Sequence, residues 1–273
     1  MTEKNQKPEL KIARKRVIAK LAEGVFETFD YGLPVDLERI ANGSGLTFNY
    51  GHYEDFFDGM LEHLSGEFHI YMNLDKAAQG SPRSRFTFAH ELGHYYIDEH
   101  RIALQEGFAP SHPSYTNFKS EIIIEKEADY FASCLLMPEN EIQNDCDKKQ
   151  FGPELIDQIT KKYQVSATAF LLRYINLEKV PLMVVCSKGG KIVWNWQGKD
   201  FRFKYLKSIK GSIPVCTATS EFYSKNVEYS TPQSDLFAED WFNYTNCEPN
   251  TFKITEYCIY AKKYNMVLTI IWY

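Results

Sequence analysis

No run of apolar residues in this 273-residue chain is long enough to span a bilayer. The N-terminal stretch is polar and lacks the apolar core of a secretory signal, so the expected compartment is the cytoplasm. There is also no C-x-x-C pair. Cys134, Cys146, Cys186, Cys216, Cys247 and Cys258 are scattered, which argues against a cysteine-ligated structural metal and predicts free thiols. Basic charge is not in excess: 31 Lys plus Arg face 36 Asp plus Glu, so the chain as a whole is no polyanion binder. What remains is a globular, aromatic-rich sequence long enough for two domains.

Within it stands His90-Glu91-Leu92-Gly93-His94. On an α-helix, residues four apart share a face, so His90 and His94 would turn two imidazoles toward one metal ion. Glu91 is offset by about 100° and would reach a water beside that ion without binding it. This is a zinc-hydrolase signature. The flanking Phe86, Phe88, Ala89, Leu92, Tyr95, Tyr96 and Ile97 make the helix apolar nearly all round, so it should be buried. Buried imidazoles beside a carboxylate need partners.

A catalytic zinc takes a third protein ligand and keeps one position open. His100 has the spacing for that role only if the chain turns back at position 97, where a glycine is expected and Ile97 stands. A helix continuing through Ile97 points His100 away. The other candidates lie in Glu125-Lys126-Glu127-Ala128-Asp129, within a second apolar helix expected from Ile122 to Met137 and stopped by Pro138. Glu125 shares a face with Ala128, Asp129 and Ala132, whereas Glu127 sides with Phe131 and Cys134. Face geometry favours Glu125 as ligand, with Glu127 as the alternative. Asp129 could accept the outward N–H of a ligating histidine and fix its ring.

At these residues the chain resembles the ImmA/IrrE family of metallopeptidases. The matching segments are 33–41 (LPVDLERIA), 85–94 (RFTFAHELGH) and 125–138 (EKEADYFASCLLMP), and the resemblance covers roughly residues 10–178. Asp129 stands where the family often has Asn; both can accept the histidine hydrogen bond. The resemblance implies a thermolysin-like fold and a narrow zinc endopeptidase whose substrate is a repressor carrying a helix-turn-helix. Its cleavage would switch on stress or defence genes.

Elsewhere the pattern predicts an α+β chain. Residues 9–29 read as a helix with Leu10, Val17, Ile18, Leu21, Val25 and Phe26 inward and Lys11, Arg14, Lys15 and Lys20 outward. Residues 34–42 read as a short helix, and Phe68–Leu74 as a strand that could border the cleft and accept an extended substrate. The stretch 101–120 looks like a loop over the site. Tyr95, Tyr96, His100, His112 and Tyr115 are candidates to stabilise an oxyanion. Cys134 or Cys146 could mask a metal until oxidised.

Residues 153–178 suggest two helices split near Ser166, resembling a helix-turn-helix; the second is too apolar to read DNA. The peptidase domain is thus expected over 1–178, including that helical segment. A C-terminal antiparallel α+β domain is expected over 179–273, with hairpins at 182–196 and 252–272. Its resemblance to a GAF or PAS sensor is architectural. Between Lys199 and Lys210, cations alternate with aromatics. A half-buried strand with Phe201, Phe203 and Tyr205 inward explains this, and so does a single-stranded nucleic acid or other ligand contacting Arg202, Lys204 and Lys207. Two other classes stay open: a non-catalytic regulatory module with a structural zinc, and a DNA-binding regulator using residues 153–178.

Overall fold

The computed structural model describes residues 10–29, 32–107, 112–114, 123–208 and 211–273, with only the backbone of 112–114. It is α+β. The described residues fall into two compact units. One runs to Asp147 and adds Ile159–Ser166; the other holds Lys148–Gln158 and Ala167–Tyr273.

The first unit opens with α1 (Ile12–Thr28) and α2 (Leu37–Gly43). Asp36 caps α2 by accepting the Arg39 N–H. Strands β1 (Thr47–Gly51), β2 (Gly59–Leu64) and β3 (Glu67–Asn73) follow, then α3 (Pro82–Tyr96) and α4 (Asp98–Gln105). The short β4 (His112–Ser114), α5 (Ile123–Leu136) and α6 (Glu139–Cys146) complete the unit's own elements. Ser81 accepts the Ser84 N–H and Pro82 sits in the first turn, which together start α3 at its N-terminus.

The sheet order is β1-β3-β2-β4. The strand expected beside the cleft, β3, is therefore interior: β1 pairs with it in parallel and β2 antiparallel. Its hydrogen-bonding edges are filled, so it cannot accept a substrate strand. The expected loop 101–120 begins instead as helix, since α4 continues to Gln105. Helix α1 also departs from its expected faces. Val17 is exposed while Ala22 joins Ile18 and Val25 in the core.

Helix α3 packs on α5, β2 and β3, and α1 packs on α5. The α3–α5 crossing is close because Gly93 meets Ala128: a β-carbon at Gly93 would lie 3.1 Å from the Ala128 Cα. Each larger side chain there would push the helices apart.

The second unit is built on an antiparallel sheet. Helix α7 (Pro153–Tyr163) straddles the dividing line, and α8 (Ala167–Asn176) packs on β5 (Leu182–Lys188). Then come β6 (Lys191–Gln197), β7 (Tyr205–Leu206), α9 (Ala218–Lys225), β8 (Gln233–Phe237), α10 (Ala238–Trp241), β9 (Phe242–Asn243), β10 (Lys253–Ala261) and β11 (Met266–Trp272). The main sheet has the order β6-β5-β11-β10-β8. Its first hairpin turns through Gly189 (φ 56°) and Gly190 (φ 76°), left-handed conformations that suit glycine. Phe201, Phe203, Trp241 and Phe242 join Met183, Val185 and Ile271 in one core. Buried Glu256 accepts the Ala218 and Thr219 N–H groups at the start of α9. The expected strand across 199–210 shrinks to Tyr205–Leu206 among the described residues, and Tyr205 points outward at 62% exposure.

Replacing Gly93 with Val should destabilise the metal-free protein by about 1–3 kcal/mol through overpacking. Urea unfolding measures this directly, and a midpoint at or above wild type would contradict the close crossing.

Candidate metal centre

Helix α3 carries His90, Glu91 and His94 on its buried side, each at most 5% exposed. Helix α5 brings Glu125 and Asp129, one turn apart on the face turned to α3. His90 Nε2 lies 3.3 Å from Glu125 Oε2, and His94 Nε2 lies 3.5 Å from Glu125 Oε1. The two Nε2 atoms are 3.1 Å apart. One donor atom from each of His90, His94 and Glu125 falls within 4.8 Å of the others, and all three residues are buried. Two imidazole nitrogens and a carboxylate oxygen make a donor set that suits zinc.

His90 Nδ1 is 2.9 Å from Asp129 Oδ1, which leaves Nε2 facing the other donors. Burial opposes a charge on His90. The hydrogen bonds and charges of Asp129, Glu125 and Glu91 outweigh it and raise the pKa to about 10. A metal ion would compete with a proton for His90 Nε2.

Strand β2 starts directly over Glu91. A β-carbon at Gly59 would lie 2.5 Å from Thr87 Cγ2 and 2.9 Å from Glu91 Oε1, so glycine permits this approach. Sequence reasoning missed Gly59; a glycine inside a strand pattern was the available signal.

The chain does turn at Ile97, without a glycine. Ile97 ends α3 in an extended conformation (φ -75°, ψ 109°) that any residue adopts, and it is buried. His100 consequently lies close by, yet its Nε2 is 3.1 Å from Glu127 Oε2 and it stands outside the three-residue cluster. Burial lowers the His100 pKa against the pull of Glu127. Glu127 in turn accepts two hydrogen bonds from Arg14, whose own pKa is raised by Glu127 and Glu99. Arg14, expected to face solvent, is thus turned inward.

The Tyr95 hydroxyl donates to the Ser44 carbonyl and the Tyr96 hydroxyl bonds the Ser44 hydroxyl. The His112 side chain and Tyr115 lie outside the described residues. Cys134 and Cys146 are buried, are in no disulfide among the described residues, and are not among the three clustered donors.

In the second unit, Arg202, Lys204 and Lys207 are exposed. The Arg202 guanidinium lies 5.4 Å from the Phe252 ring centre, and Lys207 Nζ donates to the Glu239 carbonyl at 3.0 Å. In α8, Arg173 is 2% exposed, so the expected cation of that helix is buried.

Residues 57–174 match the IrrE N-terminal-like domain of the peptidase M78 family. This part of the chain is similar to the ImmA/IrrE family of metallopeptidases. The matched span contains α3 and α5 whole, so the family's domain includes every donor of the cluster. The radiation response metalloprotease IrrE of Deinococcus radiodurans is 29% identical over 119 residues, 42% of this chain. That alignment spans about a third of the relative, 34% of its length. A Mycobacterium tuberculosis transcriptional regulator shares the fold at a TM-score of 0.56 and 12% identity, over 94% of this chain and 76% of its own. Among the described residues no helix is long and apolar enough to cross a membrane.

Asp129→Ala should weaken zinc binding about 10- to 100-fold, as loss of a histidine's orienting partner does elsewhere. Asp129→Asn, which still offers an acceptor oxygen, should keep most of it. Competition with a chromophoric chelator separates the two; equal affinity in wild type and Asp129→Ala would rule out the orienting role.

Proposed function

We propose that the chain is a zinc-dependent endopeptidase that cuts one protein partner. His90, His94 and Glu125 hold the zinc, Glu91 is the general base, and Asp129 orients His90. The convergence of three buried donors beside Glu91 carries this proposal. A zinc ion held by these residues would supply Lewis-acid chemistry, lowering the pKa of a water toward about 7 and polarising a carbonyl.

Glu91 does the proton work. It lies one residue from His90, under the start of β2, where Gly59 leaves its carboxylate room. It takes a proton from the attacking water and passes it to the departing amine, so no other base is required. Burial of the whole cluster excludes bulk water and strengthens each interaction there.

The substrate we propose is a repressor with a helix-turn-helix, cleaved to release stress or defence genes. The match to the IrrE N-terminal-like domain and the similarity to a radiation response metalloprotease support this choice. The fold we assign to the peptidase part, nominally 1–178, is thermolysin-like: two packed helices supply all three donors and the base. Residues 179–273 form a GAF- or PAS-like sensor that gates the activity in the cytoplasm. A five-stranded antiparallel sheet with helices packed on it supports that assignment. Its exposed Arg202, Lys204 and Lys207, near the exposed Tyr205–Tyr244 ring pair (centres 5.9 Å apart), offer a site for single-stranded DNA.

Glu91→Gln should bind one zinc as wild type does and lose at least about 100-fold in cleavage of its helix-turn-helix repressor substrate. Cleavage at the wild-type rate would sink the mechanism. Gly59→Ala should also retain zinc while cutting more slowly, because the added methyl displaces Glu91. An unchanged turnover number would show that β2 yields instead.

A further inference from the structure

His94 is the ligand whose ring is held by other rings. Its centre lies 4.8 Å from that of His90, at an interplanar angle of 69°, and 5.1 Å from that of His100, at 42°. His100 is 5% exposed. Its Nδ1 is buried and finds no hydrogen-bond partner among the described residues, so the contact with Glu127 is what sets the ring's rotation.

Glu127 is itself fixed from a distant part of the sequence. Arg14 Nε reaches Glu127 Oε1 at 2.8 Å and an Arg14 terminal nitrogen reaches Oε2 at 2.6 Å, a bidentate pair. The same guanidinium holds Glu99, the residue before His100, at 2.9 and 3.2 Å. A single arginine on α1 therefore anchors both the carboxylate that grips His100 and the first turn of α4 that carries it.

We propose that Arg14, Glu127 and His100 form a brace that keeps the His94 imidazole in its metal-binding orientation. They are positioning residues: none is among the three clustered donors. The brace rests on the zinc-site proposal above. An imidazole can turn about the bond to its ring, and that rotation sweeps Nε2 away from the other donors. His90 is stopped from turning by a hydrogen bond to Asp129 on α5. The His94 ring packs against the tilted ring of His100, whose own fixture comes from α5 and α1. The acidic residues of α5 thus divide: Asp129 serves one histidine directly, and Glu127 serves the other through an intermediate ring.

The test uses the full chain loaded with cobalt(II), whose visible bands report ligand geometry, and measures zinc release to a chelator. Arg14→Met and Glu127→Gln should shift the cobalt bands and release zinc about tenfold faster, with Arg14→Lys between them and wild type. Circular dichroism confirms the fold; if Arg14→Met does not fold, the isosteric Glu127→Gln carries the test. Folded variants with wild-type spectra and release rates would overturn the brace. A wild-type chain that binds no cobalt would overturn the zinc site itself, and the brace with it.

Discussion

The site depends on how closely α3 and α5 cross. Gly93 and Ala128 meet at that crossing, and the absence of side-chain bulk lets the backbones approach. Gly93 lies inside the His-Glu-x-x-His turn, and Ala128 lies between Glu125 and Asp129. The small residues and the chemical ones therefore occupy the same turns of the two helices. A wider crossing would leave Glu125 short of the imidazoles and Asp129 short of His90. The packing term is modest, but the chemistry tolerates displacements of only a few tenths of an ångström.

Burial then sets the electrostatics. Two histidines and three carboxylates on these helices are nearly or wholly inside, apart from partly exposed Asp129. Uncompensated charges there would cost several kcal/mol each. Each acid of α5 has a counterpart: Asp129 with His90, Glu127 with Arg14 and His100, and Glu125 with the pair of imidazole nitrogens. The raised pKa of His90 expresses the same demand for positive charge.

Local pattern made much of this legible in the sequence. The four-residue spacing of His90 and His94, the apolar flanks, and the shared face of Glu125 and Asp129 follow from helix geometry alone. The GG turn of the β5–β6 hairpin is equally local. What escaped notice was tertiary. Arg14 reads as one more cation in a basic run, and only the neighbouring α5 turns it inward. Ile97 showed no glycine and suggested a continuous helix, whereas a buried residue in an ordinary extended conformation ended it. The central place of β3 depends on its pairing with both β1 and β2, which its own sequence does not display. Tyr205 alternates correctly with Phe203, yet the strand that would enforce alternation is only two residues long.

The central claim is that two imidazoles and one carboxylate from two helices hold a catalytic zinc. X-ray absorption at the zinc edge tests it most directly. The account predicts a first shell of nitrogen and oxygen near 2.0–2.1 Å, with the multiple-scattering pattern of about two imidazoles and no sulfur. Sulfur in the shell near 2.3 Å would move the metal to the cysteines and contradict the account.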